Sequence, residues 1–386
     1  MTNLGLVLSG GGARGAYQAG VLKAVAELTG AAVSPFNVVT GVSAGALNAI
    51  FMGTQANNFP AGVERLWRRW QTIEPDHVYR TDVASLASIG TRWMRDLSLG
   101  GLWGGGQINH LLDTAPLRKL VQEEFHPDAL AENLRSGVLR GAAVSATDYA
   151  TGEAITFYDG AADIPGWRRS GRHGTRAALT VDHLMASSAI PLFFPPVRVD
   201  GAWLGDGCVR LTAPLSPAIH LGADRVLAVG IRHARRTIVG PTLEAVASPA
   251  DIAGVLLNAV FLDALESDVE RMERINGTLS IMTAEQRTRL RHPLRRVPVL
   301  YLRPSQDLGT LARDAFRRFP AMLRHLLKGI GAEAEKGWEL ISYLAFEPRY
   351  TMRLLALGYD DTMRRRRELL QFLHGRPHLR EVRAAG

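Results

Sequence analysis

The sequence predicts a three-layer α/β/α fold, a mostly parallel central sheet flanked by helices, with an α-helical C-terminal extension. Three observations carry this. Short apolar runs at 4–8 and 36–40 each end at glycine. A helical period follows each run, first at Tyr17, Val21, Leu22, Val25 and Leu28, then across 44–52. Strand, helix, strand, helix at this spacing is the pattern of parallel strands joined by crossover helices. After Gly240 the texture changes to long helical periods at 242–275 and 320–357, broken by one apolar strand at 297–302.

The intervening elements follow in order. Residues 72–106 carry scattered aromatics and glycine pairs with poor periodicity, and read as an excursion or lid. Helical spacing returns at 108–125. Strands are expected at 138–146 and 154–158, around a turn at 149–152. A short helix at 181–189 stops at Pro191. A hairpin around Asp200-Gly201 spans 197–204, and 225–231 is a buried strand. Two units are expected: 1–235 as the catalytic domain, and 236–386 as a mainly helical region contributing the strand near 297–302.

The chain has 386 residues, 46% hydrophobic and 21% charged, a globular composition that excludes dominant disorder. Net charge is +8, and 41 of the 45 basic residues are arginine. This reads as compositional bias, with attraction to an anionic membrane as the functional reading. The run Arg364 to Arg367 reads as a solvated helix face, with membrane docking as its functional alternative. No nucleic-acid module accompanies the charge, so no nucleic-acid partner is expected. The single cysteine, Cys208, allows no intrachain disulfide and no cysteine-based zinc site. No secretory signal is expected at the N-terminus. The charge-free stretch 28–63 is broken by polar residues and reads as strand, turn and helix rather than a membrane span. A cytoplasmic protein, peripheral to a membrane at most, is expected. Its oligomeric state is left open.

Three segments carry chemistry. Gly41-Val42-Ser43-Ala44-Gly45 is a G-x-S-x-G sequence between an expected strand and helix. Such a sharp turn exposes the serine oxygen at the carboxyl edge of the sheet, beside a helix N-terminus. Glycines flank it because side chains would strike the neighbouring strand and helix. Ser43 is therefore the candidate nucleophile. Gly10-Gly11-Gly12-Ala13-Arg14-Gly15 also follows a strand and precedes a helix. Its backbone amides can stabilise an oxyanion, and Arg14 can add charge or brace the loop. The same glycines match a dinucleotide fingerprint, but no acidic residue closes the second strand and no P-loop lysine follows. Gly205-Asp206-Gly207, taken alone, reads as a turn aspartate. A serine nucleophile usually has a histidine base. Neither His220 nor His233 lies in a context that marks it as catalytic.

Taken together, these segments resemble the patatin-like phospholipase family. In that family a G-G-G-x-R-G loop forms the oxyanion hole, G-x-S-x-G holds the nucleophile, and an aspartate in D-G-[GA] completes a Ser-Asp dyad. The resemblance implies Ser43 and Asp206 as the dyad. It implies Gly10, Gly11, Gly12 and Arg14 at the oxyanion hole, and Gly41 and Gly45 at the nucleophile turn. Ala186-Ser187-Ser188-Ala189-Ile190-Pro191 is similar to a family block that packs beneath the site. The implied activity is hydrolysis of lipid esters through an acyl-enzyme, without metal or cofactor. The departure is Cys208, where the family has glycine or alanine. A non-catalytic lipid-binding protein and a Ser-His-Asp esterase remain the alternatives.

Overall fold

The computed structural model describes residues 2–80, 110–233, 263–290, 294–319, 324 and 338–375. Ten strands form one sheet: β1 Leu4–Leu8, β2 Val38–Val42, β3 Gly141–Asp148, β4 Ala154–Gly160, β5 Trp167–Arg169, β6 Arg172–Arg176, β7 Val197–Val199, β8 Ala202–Asp206, β9 Arg225–Val229 and β10 Val299–Leu302. The order is β10-β9-β1-β2-β3-β4-β6-β5, with β8 pairing β3 and β7 pairing β8. The run from β10 to β3 is wholly parallel, while β4 and β8 join β3 antiparallel. The sheet is therefore mixed, with a parallel core. β1 and β2 are buried at every position, which explains why both read as continuous apolar runs.

Side chains alternate between two cores. Leu6, Leu8 and Val39 point into the larger one, and Val7 and Val38 into the other. On the larger side lie α1 Ala16–Thr29, α2 Ala44–Thr54, α3 Phe59–Thr72, α4 Ala115–Glu124, α5 Pro127–Arg135 and α6 Val181–Ser187. α7 Ser216–His220 and α8 Asp263–Ile281 cover the opposite face. The short α9, Ala284–Thr288, buries nothing. α10 Leu308–Leu311, α11 Trp338–Leu344, α12 Pro348–Arg364 and α13 Arg366–Leu373 return to the larger core. There α12 lies backbone-close on α1, Gly20 meeting Leu355 and Gly358 meeting Tyr17. Both faces of the sheet are covered, as a three-layer fold requires.

Several boundaries differ from the sequence reading. The second strand runs 38–42 rather than 36–40, because Gly41 pairs with Leu8 and Val42 with Ser145. The helix expected at 108–125 begins at Ala115. Leu111 and Leu112 instead give their amides to Phe193 O at 3.2 and 2.8 Å, and Asp113 accepts from Ala115 N. The helical period ending at 357 is interrupted at 345–347 before Pro348, whose ring cannot continue a helix from the preceding turn. β5 and β6 were not anticipated at all. The hairpin turn is as expected, with positive φ at both Asp200 (49°) and Gly201 (87°). Of the proposed lid, 81–106 lies outside the described residues, as does 242–262 of the first long helical period. No described helix is long and apolar enough to cross a membrane. In the basic run, Arg364 pairs with Asp361 and Arg365 with Glu368, while Arg366 and Arg367 face solvent.

Candidate active site

β2 ends at Val42 and α2 begins at Ala44, so Ser43 alone makes the turn. Its φ is 55° and its ψ −134°. A side chain at positive φ is strained, and persists only where surrounding contacts fix it. Here they do. Ser43 N donates to Ser187 Oγ at 2.9 Å, and Ser187 Oγ donates to Ser145 O at 2.7 Å. The Ser43 carbonyl accepts from Ala46 N and Leu47 N at 2.8 and 3.2 Å, opening α2. Ser43 is 2% exposed.

The flanking glycines have a steric cause. A Cβ on Gly41 would fall 2.3 Å from Gly45 O, and one on Gly45 2.3 Å from Leu8 O. Both obstacles are backbone and cannot rotate away. Gly45→Ala is expected to cost about 3 kcal/mol through overpacking. Calorimetric unfolding checks this, and an unchanged Tm would show that the turn has slack.

Asp206 closes β8 and is fully buried. Its amide donates to Ala189 O at 3.0 Å, and its carbonyl accepts from Thr147 Oγ1 at 2.8 Å. Oδ1 accepts from Cys208 N at 2.9 Å. Oδ2 is buried and makes no hydrogen bond of good geometry. Burial raises the carboxyl pKa to about 6, against the lowering effects of the Ser43 hydroxyl and the Cys208 amide. Ser43 and Asp206, 163 residues apart in sequence, are thus brought together.

Cys208 is buried beside them, and a Cβ on Gly10 would fall 2.3 Å from its sulfur. Burial, and then the Asp206 charge, push its thiol pKa up. A thiol in that state packs rather than reacts. The glycine loop crosses above it. Gly12 has φ 55°, and a Cβ there would fall 2.2 Å from Tyr343 O. Asn48 ties the loop to α2. It donates to Gly15 O at 3.0 Å and Gln18 Oε1 at 2.9 Å, and accepts from Trp70 Nε1 at 3.0 Å.

Arg14 is held by side chains of α11. Its guanidinium is 2% exposed, pairs with Glu339, and donates from Nε to Ser342 Oγ at 2.8 Å. It also lies 4.5 Å from the Tyr343 ring centroid. Of the two roles considered for it, its contacts are those of a brace. Glu339 and Ser342 stand 325 and 328 positions away and carried no sequence signal. The two histidines are engaged elsewhere. His220 stacks on Trp167 at 4.5 Å, where burial and then Arg169 and Arg172 lower its pKa to about 4. His233 Nδ1 lies 3.1 Å from Pro304 O. Among the described residues, no group of three or more His, Cys, Asp or Glu is placed to hold a metal ion.

An apolar channel is lined at one end by Ser43 and Gly12. Leu47, Phe51, Leu66, Trp70, Leu184 and Phe346 line it. An apolar channel beside Ser43 suits a hydrocarbon chain.

VipD from Legionella pneumophila is 13% identical, over 95% of this chain and 67% of that one, with a TM-score of 0.34. The complex of full-length SpcU with full-length ExoU, from the type III secretion system of Pseudomonas aeruginosa, matches at 14% identity. That match covers 95% of this chain and 78% of the other, with a TM-score of 0.26. Overlaps this low carry no functional weight. A family model described as patatin-like phospholipase matches residues 6–219, which span the glycine loop, the serine turn and the buried aspartate. With more than half of its length so matched, the chain belongs to the patatin-like phospholipase family, whose members are lipid hydrolases.

Proposed function

We propose that this protein hydrolyses carboxylic esters of phospholipids or lysophospholipids through a Ser43–Asp206 dyad. The observation that carries the reading is a strained serine at the head of an apolar channel, beside a buried carboxyl whose pKa is raised. Asp206 takes the Ser43 proton as Ser43 Oγ attacks the ester carbonyl carbon. The backbone amides of Gly10, Gly11 and Gly12 hold the oxyanion, each donor worth roughly 3 kcal/mol. The tetrahedral intermediate collapses, and the alcohol leaves with the proton returned by Asp206. Water, deprotonated by Asp206, then attacks the acyl-enzyme and releases the fatty acid. No step calls on a metal or cofactor.

In this reading residues 1–235 supply the chemistry, and residues 236–386 complete the shell that holds the glycine loop. The enzyme meets its lipid as a peripheral visitor from the cytoplasm. A fluorophosphonate probe followed by peptide mapping tests the reading. The adduct is expected on Ser43. A folded protein that takes no label at Ser43, with and without phospholipid vesicles, would instead support a lipid-binding protein of the same fold.

A further inference from the structure

The channel follows α2. Ser43, Leu47 and Phe51 line it at i, i+4 and i+8, so it descends two turns, about 12 Å along the helix axis. At the level of Phe51 the walls change character. The Arg65 guanidinium lies 5.8 Å from the Phe51 ring centroid. Arg69 from α3 and Glu124 from the end of α4 line the apolar space. Arg69 Nε donates to Glu124 Oε1 at 2.9 Å, and Arg65 Nε lies 2.9 Å from Oε2 as an ion pair. The Glu124 side chain is only 13% exposed. Arg69 and Glu124 also line a second, polar groove on the outer surface, with Glu64, Arg65, Arg68 and Thr72. The same two side chains therefore partition an apolar interior from an aqueous groove.

We propose that the Arg69–Glu124 ion pair is a chain-length stop, which limits the acyl chain that can lie fully extended from Ser43. The inference rests on the proposed hydrolase function. The physics has two parts. Each methylene drawn into the channel leaves water, which raises transition-state affinity roughly fourfold. A methyl end pressed against the ion pair gains nothing comparable, because displacing the pair would strip a partly buried charge of its partner. Selectivity should therefore climb with chain length and then break.

The test uses the full chain and straight-chain p-nitrophenyl esters from butyrate to stearate. Free fatty acids of the same lengths are titrated calorimetrically alongside. For the wild type, kcat/KM and fatty-acid affinity are expected to rise together and level off at one chain length. Arg69→Ala and Glu124→Ala should move that break to longer chains. The ratio of kcat/KM for the next longer esters to that at the old break should rise about fifteenfold, the worth of two methylenes. Arg69→Lys, which keeps a cation on Glu124, should hold the break near its original place. A purely structural role would lower Tm or activity without moving the break. A break that stays put in either folded alanine variant, or no break in the wild type, overturns the proposal. If no ester is hydrolysed yet the binding break is present and moves in the variants, the stop stands and the hydrolase reading falls.

Discussion

Asp206→Asn is expected to lower kcat by about a thousandfold or more while making the protein more stable at neutral pH. The first effect follows from the proposed role of the carboxylate as base. An amide cannot accept the Ser43 proton, and loss of a positioned base typically costs 10²–10⁴ in rate, about 3–5 kcal/mol of barrier. The second follows from the same burial that makes the group a useful base. Its folded pKa is about 6, against an ordinary value of 3.8. A carboxyl raised in the fold binds its proton more tightly there than when unfolded. Its contribution is therefore most favourable below about pH 4 and is lost as pH rises toward 6. Above that, holding the bare charge costs about 3 kcal/mol at roughly 1.4 kcal/mol per pKa unit. Asparagine removes the charge but leaves amide hydrogens short of partners, so a net gain of about 1–2 kcal/mol is expected. Calorimetry at several pH values should show the variant's advantage growing from pH 4 to 6 and then holding constant. The wild-type kcat/KM should rise through the same interval and plateau above it. A variant that keeps most of its activity would remove Asp206 from the mechanism. A variant less stable at pH 7 would mean that the carboxylate is well solvated where it sits.

How much of this the sequence disclosed depends on how local each constraint is. The serine turn is written into five adjacent residues, because Gly41 and Gly45 are excluded from bearing side chains by backbone in their own turn and in β1. The parallel core was legible because both faces of β1 and β2 are buried, so β1 carries no polar residue and β2 only the buried Thr40. β5 and β6 escaped notice since they sit at the sheet edge, with arginines on the open side and little apolar alternation to read. Asp206 was ambiguous alone, and its meaning comes from burial against Ser43, which no local pattern encodes. The brace on the glycine loop was invisible. Its members join α11 to a loop at the opposite end of the chain, and a buried Glu339 looks in sequence like any surface glutamate on a helix.

That brace makes the second large prediction. Arg14→Met is expected to destabilise the protein by about 3–5 kcal/mol, the usual effect of withdrawing one partner from a buried ion pair. Glu339→Leu should do comparable damage from the other side, by leaving the buried guanidinium without a carboxylate, against Tyr343, Ser342 and the residue-339 carbonyl. The double variant replaces the pair by apolar groups of similar bulk, so its loss should be smaller than that of either single variant. Catalysis should behave differently from stability. Gly12 rests on the backbone of Tyr343, and Arg14 grips the same helix. Together they hold the glycine amides proposed to receive the oxyanion, and small misplacements of such groups are costly. At a temperature where every variant is fully folded, fluorophosphonate labelling of Ser43 should slow about tenfold in Arg14→Met. It should remain slow in the double variant, even though most of the stability returns. If labelling recovers together with Tm, the pair serves packing alone. If the two losses simply add, Arg14 and Glu339 are not coupled, and the C-terminal helices do not hold the loop through them.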